Sequence, residues 1–342
     1  MISRTKKSCE AKFLAITAGD PCGIGPEVVL KALALVRFRS TPIAVIGDRD
    51  VFARTARRLQ RPLPDWHVIA PGQPVPAALP CLIFLDRGSR QTHAPGRSGR
   101  RAGRAALDYL DRAIELWGAG RVRALVTAPV TKWAIIRSEP GFVGQTEYLA
   151  EAMRARRPVM MFVSEGLRVV VLTRHLPLRR VPDAVTRELL RSTLRQTARA
   201  LRGWFRIRRP RLAVCGLNPH AGEDGRCGQE ERSVMRPALL ALRRQGILCD
   251  GPFAADGLFG QPIPYDAVVC AYHDQGLIPF KMVARDVGCQ LSVGLPIVRT
   301  SPDHGSALDI AGQGKAHPGS MVYALKLTAR LAVSDLRHQD EP

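Results

Sequence analysis

Ala267-Val-Val-Cys-Ala-Tyr-His-Asp-Gln-Gly276, continuing through Pro279 to Lys281, decides how the chain folds. A short apolar run rich in valine breaks off into Tyr272, His273, Asp274 and Gln275, then a glycine. Such a run reads as a buried parallel strand that delivers polar side chains at its carboxyl end, where open α/β sheets place their ligand sites. Lys281, eight residues past the histidine, is one of only eight lysines in the chain.

Working outward, the same strand with a polar exit recurs. Phe13-Leu-Ala-Ile-Thr-Ala18 reads as a strand running into Gly19-Asp-Pro-Cys-Gly-Ile-Gly-Pro-Glu27, with Pro26 and Glu27 suited to the first turn of a helix ending near Val36. That glycine-rich turn matches neither GxxxxGK[ST] nor GxGxxG; it could offer amides to an anion or simply join strand to helix. Further strands are expected at 43–47, 82–85, 124–127, 158–163, 167–172 and 212–216, with helices at 50–59, 103–117, 181–201 and 230–245. A helix also opens at Thr146 or Glu147, and the six prolines between residues 62 and 80 read as loop. The alternation of strand and helix makes the fold α/β.

With 342 residues, two lobes or one large α/β body are expected. The net charge is +21, and of 51 basic residues only eight are lysine, which leaves 43 arginines. They scatter over expected helices and turns, and the densest cluster, between Arg202 and Arg211, carries no nucleic-acid-binding motif, so nucleic acid is not an expected partner. Eight cysteines with no CxxC pair, three of them (Cys81, Cys215, Cys270) at or inside apolar runs, read as buried free thiols of a reducing cytoplasm. The basic stretch before Phe13 leads into too short an apolar run for a secretory leader, and no apolar run reaches membrane-spanning length. A cytoplasmic protein without a membrane partner is expected.

His175, His220 and His273 each follow a short apolar strand directly, in the same structural position three times. In a parallel sheet those strand ends share one edge, so the imidazoles can converge. Three neutral imidazoles suit a divalent metal such as zinc or cobalt and leave positions open for substrate oxygens. A single histidine at a strand end is more often a hydrogen-bonded structural residue; three in matched positions favour a site.

Past the third histidine, His304-Gly-Ser-Ala-Leu-Asp-Ile-Ala-Gly312 resembles the segment with which isocitrate and isopropylmalate dehydrogenases hold the adenosine part of NAD(P). The chain as a whole, from about residue 13 to 330, resembles the PdxA family of 4-hydroxythreonine-4-phosphate dehydrogenases. The resemblance rests on Gly19-Asp-Pro-x-Gly-Ile-Gly-Pro-Glu27, Thr127-Ala-Pro-Val-Thr-Lys132, Asn218-Pro-His-Ala-Gly-Glu223, Tyr272-His-Asp-Gln-Gly276 and Arg299-Thr-Ser-x-Asp-His-Gly305.

That resemblance implies two α/β/α lobes with a cleft between them, isocitrate/isopropylmalate dehydrogenase-like, with residues 13–130 plus 300–332 on the NAD side and 131–299 on the metal and substrate side. It implies a homodimer whose metal ligands come from both subunits, with His175, His220 and His273 at the ligand positions and zinc, magnesium or cobalt as the ion. It puts Gln145, Thr146, Lys281, Gln290 and Arg299 at substrate-binding positions, and Asp303, His304, Gly305 and Asp309 along the cofactor, NAD or NADP. Lys281, Asp256 and Asp274 are the candidates for proton transfer and charge handling. The implied reaction oxidises 4-phosphohydroxy-L-threonine to 2-amino-3-oxo-4-phosphobutanoate, a β-keto acid that decarboxylates to 3-amino-2-oxopropyl phosphate.

Two positions depart from the family pattern. Gln145 stands where the family reads Gly-His-Thr-Glu, and Gln290 stands where it has asparagine. Glutamine keeps hydrogen bonding but cannot carry a proton as histidine can. Both departures fall at substrate contacts of the family, and a related substrate, such as phosphothreonate, phosphoerythronate or a cyclic dihydrodiol, is the alternative they motivate.

Overall fold

The run Ala267–Cys270 is a strand buried at every position. Its neighbours on both sides are parallel to it, as the unbroken apolar reading requires. This computed structural model describes residues 11–37, 41–89 and 93–339. The basic stretch before Ala11, with Cys9, lies outside the described residues.

The chain divides into two compact units, and the fold is mixed α/β in each. The first runs to Tyr148 and takes in His304–Ala329. Its strands are β1 (Phe13–Thr17), β2 (Ile43–Gly47), β3 (His67–Ile69), β4 (Leu82–Asp86) and β5 (Val122–Thr127), in the spatial order β3-β4-β2-β1-β5. All are parallel. The 19-residue helix Arg100–Gly118 covers this sheet with one apolar face, including Ala106, Leu107, Leu110 and Ala113. The division falls at Tyr148, later than residue 130, because the short helix Lys132–Ile136 packs on Arg100–Gly118. There Gly103 leaves only 2.3 Å between its absent Cβ and the carbonyl of Ala134.

The second unit, Leu149–Asp303 with the chain from Arg330, holds β6 (Val159–Val163), β7 (Arg168–Val171), β8 (Arg211–Cys215), β9 (Leu248–Phe253), β10 (Ala267–Cys270), β11 (Cys289–Val293) and β12 (Val298–Pro302). Their order is β12-β11-β6-β7-β10-β8-β9. Only β7, β10, β8 and β9 run parallel; β12, β11, β6 and β7 pair antiparallel.

Several elements differ from the sequence expectation. β3 lies inside the proline-rich span and β9 contains Pro252; both are terminal strands of their sheets, where a missing N–H costs no ladder bond. The helix expected over 181–201 is two helices, Val181–Ala184 and Arg187–Gly203, restarted by Thr186, whose side chain accepts from the Leu189 amide. Cys81 is exposed, one residue short of the buried part of β4, whereas Cys215 and Cys270 are buried on neighbouring strands with sulfurs 3.9 Å apart. All seven described cysteines are free thiols. No helix among the described residues is long and apolar enough to cross a membrane.

Candidate active site

The exits of β7, β10 and β8 carry His175, His273 and His220, and these strands are neighbours in the order β7-β10-β8. Side chains lace the three exits together. Thr173 Oγ1 donates to the Ala271 carbonyl at 2.7 Å, tying β7 to β10. Gln275 accepts from the Ala271 amide at 2.6 Å and donates to the Gly216 carbonyl at 2.7 Å, tying β10 to β8. Gln275 stood in the quoted stretch without a role; its part depends on strand neighbours that no local pattern reveals.

The imidazoles of His175 and His273 face each other with centroids 5.9 Å apart. His273 opens the helix His273–Ala284, and its Nδ1 lies 2.7 Å from Asp274 Oδ1. A carboxylate there accepts the Nδ1 proton, which leaves Nε2 as the nitrogen for a ligand. His175 and His220 both stand on left-handed backbone, φ 45° and 53°. His220 does not complete a set with the other two: among the described residues no three His, Cys, Asp or Glu side chains are grouped to hold a metal ion.

The turn that bears His220 is unusual. From His220 to Asp224 five consecutive residues are left-handed, with φ of 53°, 51°, 82°, 43° and 53°, and only Gly222 among them is a glycine. Each non-glycine residue there costs about 1–2 kcal/mol, so the neighbourhood must hold the path.

Lys281 lies 2.6 Å from the Asp303 carboxylate, whose side chain is 3% exposed, and donates to the Asp303 carbonyl at 2.6 Å. Asp303, expected along the cofactor, is therefore the counter-ion of Lys281. Arg299 is buried on β12, opposite β11. Its Nη1 donates to Gln290 Oε1 at 2.7 Å and to Ser292 Oγ at 2.9 Å. Gln290 Oε1 also accepts from Ser301, and its Nε2 donates to Ser292. The register Gln290↔Ser301 puts all four side chains on one face of the pair. Asp256 is exposed in the first turn of Ala255–Phe259.

The other candidates lie in the first unit. Thr146 is buried, and Gln145 Nε2 donates to the Ala128 carbonyl at 3.2 Å. His304 Nδ1 sits 3.0 Å from the Gly305 carbonyl, and Gly305 and Asp309 are exposed. The glycine-rich turn is bound to this segment from inside: the Ile24 amide donates to the Ser306 carbonyl, and Gly23 brings its backbone within 2.9 Å of Ser306 as measured from its absent Cβ. The amides of Cys22, Gly23 and Ile24 are all taken up by protein acceptors, so packing accounts for the turn.

Burial dominates a second polar cluster in this unit. Asp48 accepts from the Tyr109 hydroxyl at 2.6 Å and lies 3.8 Å from His93 Nε2. Desolvation raises the Asp48 carboxyl and the Tyr109 hydroxyl and lowers the His93 imidazole.

Comparisons with known proteins agree along the length of the chain. The family model for the pyridoxal phosphate biosynthetic protein PdxA matches residues 39–328. A 4-hydroxythreonine-4-phosphate dehydrogenase of Methylorubrum populi is 44% identical over 331 residues, covering 93% of this chain and 94% of the relative. One from Bradyrhizobium diazoefficiens is 41% identical over 338 residues, 95% of this chain and 98% of the relative. Among solved structures, the Klebsiella pneumoniae 4-hydroxythreonine-4-phosphate dehydrogenase superposes with a TM-score of 0.81 at 36% identity, over 94% of this chain and all of that one. A terephthalate 1,2-cis-dihydrodiol dehydrogenase from Burkholderia xenovorans superposes with 0.62 at 31% identity, over 94% and 98%. With the family model matching most of its length and such relatives spanning nearly all of it, this chain belongs to the PdxA family.

Proposed function

We propose that the chain oxidises 4-phosphohydroxy-L-threonine to 2-amino-3-oxo-4-phosphobutanoate, using NAD or NADP and a divalent metal, and that this product decarboxylates to 3-amino-2-oxopropyl phosphate. The observation that carries the reading is the pair of imidazoles, His175 and His273, 5.9 Å apart at neighbouring strand exits of a chain 41–44% identical to dehydrogenases of that name.

The donor set fits zinc or cobalt better than magnesium, which prefers oxygen ligands: two imidazoles lie together and Asp274 orients one of them. The third, His220, comes from a second copy of the chain in a homodimer with shared sites. The apolar residues exposed beside the two histidines support this: Leu176 and Leu178 after His175, and Ile278, Met282 and Val283 after His273. When bound, the metal polarises the substrate hydroxyl and the dinucleotide accepts the hydride.

The chain's own residues do the rest. Lys281 pairs with the Asp303 carboxylate and donates to its carbonyl, and its half-exposed ammonium has donor capacity left for an anionic substrate group. Arg299, 2% exposed, meets only a substrate group that has left water, where its charge acts most strongly. Asp274 is engaged with His273, which leaves Asp256 as the proton acceptor of the pair. Gln145 and Thr146 of the first unit stand at the family's substrate-binding positions, and His304, Gly305 and Asp309 at its cofactor positions.

The second reading keeps the chemistry and changes the substrate to phosphothreonate, phosphoerythronate or a cyclic dihydrodiol. Gln290, spent on Arg299, Ser292 and Ser301, motivates it, as does the likeness to the dihydrodiol dehydrogenase. Reduced-cofactor formation across these four substrates decides: turnover should be highest with 4-phosphohydroxythreonine. A higher kcat/KM with any other compound gives the assignment to that compound.

A further inference from the structure

The left-handed turn His220–Asp224 is held from one side by a single buried carboxylate. Glu231, 2% exposed, accepts from the Asn218 backbone amide at 2.7 Å through Oε1 and from Asn218 Nδ2 at 3.0 Å through Oε2. The other Asn218 Nδ2 bond runs to Glu230 Oε2 at 2.8 Å. The residue that enters the turn is thus clamped through backbone and side chain at once.

Three glycines give the clamp room. A Cβ on Gly222 would stand 2.7 Å from Glu231 Oε2, one on Gly216 3.1 Å from Oε1, and one on Gly228 2.2 Å from Asn218 Nδ2. No cation pairs with Glu231 among the described residues; it is satisfied by N–H groups alone, a costly placement for a carboxylate unless that geometry is needed. It also opens a π-helical stretch, Glu231–Met235, of the kind that recurs at functional sites.

We propose that Glu231 is the positioning residue of His220: by clamping Asn218 it holds the left-handed turn, and so sets where the imidazole is presented to the metal. The inference rests on the reading of His220 as a metal ligand. Glu231 touches neither substrate nor ion; it acts through the turn.

The test is zinc affinity of the full-length protein, measured by competition with a chelating dye, for wild type, Glu231→Ala, Glu231→Gln, His220→Ala and the Glu231→Ala/His220→Ala double variant. Loss of a residue that orients a metal ligand costs about 10–100-fold in metal affinity, and Glu231→Ala should fall in that range. Glu231→Gln, which keeps one acceptor for the Asn218 amide, should lose less, and it serves where the alanine variant does not fold. The double variant should bind no more weakly than His220→Ala, because Glu231 acts only through His220. Wild-type affinity in both Glu231 variants, or additive losses in the double variant, overturns the proposal while leaving the metal site in place. Undiminished affinity in His220→Ala sinks the ligand reading and the positioning role with it. Hydrogen exchange of the metal-free protein adds an independent readout: Glu231→Ala should speed exchange across residues 218–224, and unchanged protection there counts against the clamp.

Discussion

Gln290 makes three hydrogen bonds inside the protein, accepting from Arg299 and Ser301 and donating to Ser292. It is 5% exposed, and its partner Arg299 is 2% exposed. Gln290→Leu keeps the volume and removes one acceptor of Arg299 Nη1. About 2–4 kcal/mol of stability should be lost, as when one partner of a buried charged bond is deleted. Thermal or urea unfolding of the variant checks this, and a loss below 1 kcal/mol would mean that water replaces the amide. In the sequence this residue was legible only as a departure from a pattern. What it touches follows from the register of β11 on β12, and nothing local specifies that register. Glu231 was missed for the same reason: its partner Asn218 is 13 positions away and joined by no periodicity.

Helices and strands were more legible than their edges. Where apolar residues repeat with one period and the ends carry turn signals, as in Arg100–Gly118 or Ile43–Gly47, the chain states its own structure. Where three residues suffice for an edge strand, as in β3, there is no period to read. The antiparallel pairing of β6 with β7 was likewise hidden, since a buried strand looks the same in either direction. The helix His273–Ala284 was masked by Pro279, yet it forms and leaves Ile278, Met282 and Val283 at 59–75% exposure. If a second copy covers this face, each side chain contributes about 1.5–3 kcal/mol to association. Met282→Glu should then shift the protein towards monomer in light scattering and lower its zinc content. A dimer of unchanged affinity places the interface elsewhere.

At the scale of the molecule the arginine excess is put partly to structural use. Arg121, 6% exposed, donates to the carbonyls of Val75 and Pro76, holding the proline-rich span to the first sheet, and Arg168 lies 4.7 Å over the Phe205 ring. The cluster of Asp48, Tyr109 and His93 in the first unit should make stability depend on pH. Burial, the largest influence, holds His93 below its ordinary value of 6.5, with Arg54 acting the same way and Asp48 and Asp20 opposing. The unfolded chain therefore takes up the proton first, and stability is lost as the pH falls below 6.5. Asp48, raised by burial, binds a proton more readily when folded and offsets part of that loss. His93→Gln should flatten the fall in melting temperature between about pH 6.5 and pH 5, and a slope equal to wild type assigns the acid sensitivity to another group. The two sulfurs of Cys215 and Cys270, 3.9 Å apart between β8 and β10, have a further consequence. Burial raises the Cys270 thiol well above its usual range, so the thiolate that would start oxidation is suppressed while the sheet is closed. An oxidant reaches this pair only by way of an opened sheet, which makes the rate of its capture a clock for the opening of the second unit rather than a measure of redox conditions.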